Sequence, residues 1–595
     1  MSVRDLGFIK WHDKYGVLED MDSNEFKKGV FEEKTLYETI LNTLPKIQVK
    51  KWENEYSKIQ PISNPYYTLN WLSCRIHVYT RNRMYKTIVI ETKEKKQTIE
   101  GVCSFGNTST YLWYIKDSTE GKEQWTLYIL DADLEIKKSI PNVAENAEST
   151  LSDIYYVNAK DTFWFYKASK ISNLLTITDI YEETEKKYVL TLIKPTRESN
   201  PDIFILRKSA LFQDLAVVLT DNSNSKLKWL DKGFGIKLPL DKNTIAYDRH
   251  FIINGDKILY PQNQFLSDTF KHNDIYYFIF KYDVYNSLYK YVNNKWVQIQ
   301  SPIVSDITQL SHTTDLLFGY PNKPDNVVSI KNGLKIINNI PGPMYKLESG
   351  SDPIPWFAVI PNKTPKGIVI CGYGSYGMCM RKSQQNIWIP WLQQGYMIAS
   401  VCVRGGSENG QAWWDASRTA KRRWIGVRDF IDGTHYLQKK FGFTASNTII
   451  YGRSAGGFLV TAVANNIPDD IGVVYAAKPY TDVLRTVTDI KVSQVIQEID
   501  EFGYVANDPT AFLEVAKISP YENVPEKPQK NPAVLLTGGI NDPEVMLYMP
   551  LKFVKRLHDA GWKNAVIRIT DEGHFTADNN SEAHDAALCD FFLQT

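Results

Sequence analysis

Cysteine is scarce in this chain. Six residues in 595 (Cys74, Cys103, Cys371, Cys379, Cys402 and Cys589) are widely spaced, and no Cys-x-x-Cys pair occurs. No His-Glu-x-x-His occurs either, so structural zinc and zincin chemistry have no support. Reduced thiols in a reducing compartment are the expectation. No apolar run approaches the ~18 residues of a spanning helix. The first residues, Met1 to Phe8, lack an apolar signal core, and Asp13, Glu19 and Asp20 follow soon after. The expectation is a soluble, cytoplasmic protein. An excess of charge is missing too. Lys and Arg number 69 against 68 Asp and Glu, a formal net charge of +1. A dedicated nucleic-acid or polybasic membrane binder would need a concentrated positive face.

Hydrophobic residues at 43% and charged residues at 23% suit a folded protein. The aromatic share of 13% is high and leans toward β-sheet. The length implies more than one domain. Long helical periodicity is scarce between about residues 65 and 340, where short aromatic and β-branched runs alternate with polar turns. Examples are Tyr111–Ile115, Trp125–Leu130, Thr162–Tyr166, Ile203–Leu206, Leu215–Leu219 and Ile275–Phe280. Pairs of runs recur about every 40–50 residues, the period of a propeller blade, with one or two β-sandwiches as the alternative. The spacing predicts a β-propeller over 61–342.

Residues 1–60 read differently, with Leu36, Ile40, Leu41 and Leu44 at helical spacing. Pro341-Gly-Pro343 marks a hinge. From 343 to 595, apolar strands alternate with helical stretches such as Asp429–Phe441 and Leu551–Ala560. The strands are Gly367–Cys371, Met397–Val403, Asn447–Tyr451, Ala533–Leu536 and Ala565–Ile569. That alternation predicts a mostly parallel, doubly wound α/β sheet.

The strongest local feature is Gly452-Arg-Ser454-Ala-Gly456-Gly457. A Gly-x-Ser-x-Gly match alone is weak, but here an apolar strand leads in and Phe458–Ala464 leads out as a helix. That is a nucleophile elbow, which holds its serine exposed on a strained turn. A serine hydroxyl needs a base, and the base needs an orienting acid. His558 and His584 lie inside helical patterns, whereas His574 sits in a loop directly after the strand Ala565–Ile569. Asp542 likewise follows a strand, in Gly538-Gly-Ile-Asn-Asp-Pro543; its alternative reading is a plain turn residue. The order Ser454, Asp542, His574 is that of this sheet type.

Gly372-Tyr-Gly-Ser-Tyr-Gly377 fits the dinucleotide fingerprint, which requires an acidic residue about 20 positions on. None occurs between Pro353 and Ser407. The loop serves better as part of an oxyanion hole. The backbone N–H of Ala455 and the hydroxyl of Tyr373 would be its two donors.

The C-terminal segment resembles the prolyl oligopeptidase family of serine peptidases, and is most similar to its oligopeptidase B branch. The resemblance rests on Gly372–Gly377, Arg404–Gly410 with Trp413, Arg453–Gly457, and Thr481–Leu484. Ile518–Val524, Thr537–Gly539 with Asp542, and Glu572–His574 complete it. It implies an α/β-hydrolase domain with a seven-bladed propeller placed over it. It also implies that the first residues pack back on the hydrolase, and that Tyr373 is an oxyanion donor. Access would be restricted to short peptides, and no cofactor is needed. The branch cleaves after Arg or Lys, and its acidic pair maps by ungapped spacing onto Glu498 and Asp500. Two carboxylates in a pocket would attract a guanidinium or ammonium; the plain alternative is a solvated acidic helix face.

Some residues depart from that pattern. Asp500 is one methylene shorter than the branch's Glu. Arg381 and Lys382 stand where the branch has acidic residues near the second subsite, so a basic residue next to the scissile position is expected to be disfavoured, since like charges would meet. Glu544 takes a position held by a substrate-facing polar or basic residue in relatives, and Arg423–Arg428 differs in wording. These changes suggest altered selectivity with the chemistry retained. The reading is a serine oligopeptidase acting after Arg or Lys, as a monomer or small homo-oligomer. A prolyl-specific peptidase, an acyl-peptide hydrolase or esterase, or a catalytically weak propeller-based binder are its rivals.

Overall fold

A computed structural model describes residues 2–594 except 60–64, 66, 81–84, 120–123, 150–153, 160–165, 172–176, 184–187, 194–202, 211–213, 222–223, 232–236, 242–243, 274, 311–314, 332, 384–385, 490–494, 527–530 and 576–577. The chain divides into two compact units. One comprises Met1–Ile59, Pro321–Lys323 and Pro343–Thr595; the other comprises Gln60–Tyr320 and Pro324–Gly342.

The second unit is all β among its described residues. Five four-stranded antiparallel sheets follow one seven-stranded sheet along the chain. The seven-stranded sheet is two meanders sharing the long strand Lys96–Asn107. Its first half pairs with Lys86–Glu91 and its second half with Leu112–Asp117, with register shifts on both sides. Successive sheets pack through apolar faces. Trp113, Ile115, Leu127 and Ile129 of one sheet meet Val143, Ile154 and Tyr156 of the next. Phe251 packs in the same way with Phe278 and Phe280. Stacked four-stranded meanders are propeller construction, and the high aromatic content is spent on these faces. The run Thr162–Phe165 lies outside the described residues.

The first unit is built on an eight-stranded sheet. Its strands are β1 (Lys346–Gly350), β2 (Trp356–Ile360), β3 (Gly367–Cys371), β4 (Tyr396–Val401), β5 (Thr448–Arg453), β6 (Val473–Ala477), β7 (Ala533–Gly539) and β8 (Ala565–Thr570). The spatial order is β1-β2-β4-β3-β5-β6-β7-β8. β1 and β2 run antiparallel, and β3 to β8 are parallel to one another. β3, β4, β6 and β7 are buried along their whole length. That burial explains their continuous apolar runs, because a parallel sheet is covered on both faces.

Two long N-terminal helices, α1 (Asn24–Thr43) and α2 (Lys46–Ser57), belong to this unit. The other main helices are α3 (Trp424–Phe441), α4 (Ala455–Asn466), α5 (Val495–Phe502), α6 (Tyr548–Asp559) and α7 (Asn579–Phe592). α1 starts well before the apolar pattern at 36–44. Ser23 caps it, its hydroxyl accepting from the Phe26 N–H at 3.1 Å. The N-terminal segment is tied down by polar contacts in the interior. The Tyr37 hydroxyl donates to Asp585 (3.2 Å) and the Trp52 indole to Asp590 (3.3 Å). The Lys552 ammonium is fully buried and meets Asp482 at 2.5 Å, Asp13 at 2.7 Å and Glu19 at 2.8 Å. Asp13, Glu19 and Asp482 converge closely enough to hold a cation, and the Lys552 ammonium supplies that charge. Among the described residues, no helix is long and apolar enough to cross a membrane.

Candidate active site

Ser454 stands between the end of β5 and the start of α4, with φ +57° and ψ −122°. A non-glycine residue rarely holds that backbone conformation, and here the neighbours enforce it. A Cβ on Gly452 would lie 2.0 Å from the Gly456 carbonyl oxygen, and one on Gly456 would lie 2.6 Å from that of Gly372. Glycine is therefore required at both positions, and the turn can be this tight only with them. The Ser454 N–H donates to the Ala477 carbonyl (3.0 Å), which anchors the turn to β6.

Asp542 follows β7 and His574 follows β8. Their side chains meet, with His574 Nδ1 2.7 Å from Asp542 Oδ2, and both residues are buried. The other Asp542 oxygen accepts the N–H groups of Glu544 (2.9 Å) and Val545 (2.8 Å). These bonds fix the carboxylate and so the imidazole. The His574 loop is also held through its backbone. Arg453, next to Ser454, donates to the His574 carbonyl. Lys478, just past β6, donates to the Gly573 carbonyl and lies 3.5 Å from Glu572. Burial pushes the Lys478 ammonium down to about 8; Arg453 and Arg568 act in the same direction, and Glu572 and Asp542 oppose it. Glu544 reaches the other ring nitrogen, with its Oε2 3.4 Å from His574 Nε2. The two remaining candidate histidines have other partners. His558 Nε2 lies 2.9 Å from the Ala565 carbonyl, and His584 Nε2 lies 3.0 Å from Glu53.

The loop 372–377 runs past the serine turn, and Tyr373 packs against Gly456. The Tyr373 hydroxyl is held well above the ordinary tyrosine range, first by burial and then by Glu544, Glu498 and Glu501. It therefore keeps its proton and remains a donor. Ala455 is the first residue of α4, so its N–H is among those at the helix start that no earlier turn consumes. The loop's shape is set by Arg423. This guanidinium donates to the Gly374 carbonyl (2.9 Å) and to the Ser375 hydroxyl. It also pairs with Glu501 Oε2 at 3.0 Å. The other Glu501 oxygen accepts from the Tyr376 N–H (2.8 Å) and the Trp414 indole (2.6 Å).

Of the expected acidic pair, Glu498 is buried on α5. Its Oε1 accepts from the Tyr376 hydroxyl at 2.7 Å, and its Oε2 has no hydrogen-bond partner among the described residues. Burial pushes this carboxyl up to about 8. Asp500 lies on the same helix, and its side chain is outside the described residues. Glu501, which the sequence did not single out, is the second buried carboxylate of α5. Arg381 lines a crevice with Phe357, Trp388 and Leu392, and Lys382 is buried.

A doubly wound sheet with a serine elbow after its fifth strand and an Asp–His pair after its seventh and eighth is an α/β-hydrolase domain. Residues 383–595 match the model of the Prolyl oligopeptidase family, and the chain carries a domain of that family. Protease 2 of Moraxella lacunata is 32% identical over 214 residues, which is 36% of this chain and 30% of the relative. Dipeptidyl aminopeptidase BI of Pseudoxanthomonas mexicana is 34% identical over 189 residues, 31% of this chain and 25% of the relative. The match thus spans less than a third of these curated relatives. Among solved structures, oligopeptidase B from Leishmania major superposes with a TM-score of 0.85 at 16% identity, covering 98% of this chain and 94% of that one. The all-β unit followed by the hydrolase sheet is therefore a fold this chain shares with oligopeptidase B.

Proposed function

We propose that this protein is a serine peptidase that cleaves short peptides after Arg or Lys through an acyl-enzyme. The observation that carries the reading is the 2.7 Å pairing of His574 with Asp542, at the same C-terminal edge of the parallel sheet as a serine held at φ +57°. Ser454 Oγ attacks the scissile carbonyl carbon while His574 Nε2 takes its proton. The tetrahedral oxyanion is stabilised by the Tyr373 hydroxyl and the Ala455 N–H. The C–N bond then breaks, and the departing amine takes the proton from His574. Water repeats the sequence on the acyl-enzyme, returning Ser454 Oγ to its hydroxyl form. Asp542 holds the imidazole in the productive tautomer throughout.

Glu498 is the proposed receptor for the basic side chain, with Asp500 beside it on α5. Its Oε2, buried and without a hydrogen-bond partner among the described residues, suits a guanidinium or ammonium. The peptidase names of the two relatives support a peptide as substrate.

The test is fluorophosphonate labelling together with a substrate panel bearing Arg, Lys, Pro, Phe or Ala before the scissile bond. Wild type should label, Ser454→Ala should not, and arginyl and lysyl substrates should lead. Unchanged turnover in Ser454→Ala would refute the mechanism. A leading prolyl substrate would refute the assigned selectivity.

A further inference from the structure

Arg453 links the two residues between which the proposed proton transfer runs. It ends β5 and immediately precedes Ser454, and its Nη2 donates to the main-chain carbonyl of His574, 121 positions further along the chain. The strand that presents the nucleophile therefore also grips the backbone of the base. That strand is a firm support. Arg453 pairs with Ala477 of the neighbouring β6, and the Ser454 N–H donates to the Ala477 carbonyl at 3.0 Å. The charge of Arg453 also reaches α7: burial and Asp585 raise the Glu582 carboxyl to about 7, and Arg568 and Arg453 act against them. A guanidinium suits the task, since its stem is long, its donors are forked and its charge persists at any working pH. Asp542 orients the imidazole through Nδ1, but it stands on a separate loop, after β7. Arg453 supplies the direct tie to the strand of Ser454. Proton transfer needs heavy atoms about 2.6–3.2 Å apart, and a misplacement of about 1 Å costs on the order of 10² in rate.

We propose that Arg453 is a positioning residue for proton transfer: it locks the main chain of His574 to the strand of Ser454, and so keeps the imidazole in reach of both the serine hydroxyl and the departing amine. The inference rests on the peptidase reading and deepens it, since Arg453 acts through His574 and not on the substrate.

The test compares a peptide and a p-nitrophenyl ester with the same arginyl acyl part on wild type, Arg453→Met and Arg453→Lys. Both substrates need the imidazole to take the Ser454 proton. Only the peptide needs it to protonate the departing group, because p-nitrophenolate leaves without a proton. Arg453→Met should therefore lower kcat for the peptide by about tenfold or more, with KM within about twofold of wild type. Its ratio of kcat/KM for ester over peptide should rise several-fold. Arg453→Lys, which keeps a charge and a donor, should move both readings in the same direction by less, and it carries the ratio test if the Met variant fails to fold. A ratio equal to that of wild type would overturn the proposal, since a distorted serine turn alone would slow both substrates alike. A loss confined to KM would overturn it as well. Failure of wild type to hydrolyse either substrate and to react with a fluorophosphonate would instead remove the peptidase reading itself.

Discussion

Arg423 Nη1 lies 3.0 Å from Glu501 Oε2, and both side chains are buried. The pair joins the start of α3 to α5, and through Gly374, Ser375 and Tyr376 it holds the loop that carries Tyr373. A buried ion pair contributes little net stability against an apolar replacement, but removing one partner strands the other. Here the pair has a positional task, since it holds the loop that carries the proposed oxyanion donor.

Arg423→Met should therefore cost about 3–5 kcal/mol in urea denaturation, because Glu501 would be left uncompensated. It should also slow fluorophosphonate labelling. Tyr373→Phe should lower kcat by about 10²–10³ with little change in stability. Normal labelling in Arg423→Met would show that the loop keeps its shape without the pair.

Glu498 gives a pH signature. Its carboxyl is raised by burial to about 8 from the ordinary 4.5. At neutral pH the unliganded residue is mostly protonated, and pairing with a basic side chain requires it to ionise. The ratio of kcat/KM for an arginyl over a phenylalanyl substrate should rise with pH up to about 8, since the ratio cancels titrations common to both. Glu498→Gln should flatten it. The same shift has a sign for stability. The folded state holds the proton more tightly, so this residue's contribution falls as pH rises from 4.5 to about 8. A ratio independent of pH in wild type would remove Glu498 from the specificity pocket.

The elbow was legible in the sequence because its determinants are contiguous. Gly452, Ser454 and Gly456 lie within five residues, between a strand and a helix. The proposed base could be chosen because His574 follows a strand, whereas His558 and His584 lie in helical patterns. Arg423, Glu501 and Lys478 were not legible, because their partners lie 48 to 125 residues away in the chain and no local pattern encodes the encounter. The start of α1 was missed for a different reason. Its buried row is Phe26, Gly29, Glu33 and Tyr37, and Glu33 breaks the apolar pattern because Lys555 pairs with it at 2.8 Å. The Ser23 cap was the available signal. The shared strand Lys96–Asn107 also escaped, since it reads as one long polar-apolar run.

Lys552 offers a stability test of the N-terminal segment. Its ammonium is the common partner of Asp13, Glu19 and Asp482. Their attraction outweighs burial and holds its pKa above the ordinary lysine range. Lys552→Met would leave three carboxylates facing one another. Unfolding in urea should come about 3–5 kcal/mol earlier, and limited proteolysis should cut within residues 1–20 faster in the variant than in wild type. Wild-type resistance to both would mean that Arg4 and Arg485, the other cations on Glu19, suffice.

Lys478 tests the support behind His574. Its pKa is lowered by burial to about 8 from 10.5, so the folded protein gives up this proton more readily than the unfolded chain. Below pH 8 the lysine is charged in both states and its burial opposes folding. Between pH 8 and 10.5 the folded state is relieved of that charge while the unfolded chain still binds the proton, so stability from this group rises with pH. The unfolding free energy of wild type relative to Lys478→Met should therefore climb by about 3 kcal/mol in total across that window. Parallel curves for the two proteins would show that Lys478 does not titrate there. Because its ammonium donates to the Gly573 carbonyl beside the imidazole, the variant should also lose kcat with KM nearly unchanged. A loosened loop would misplace the proposed base during proton transfer without touching the proposed substrate pocket.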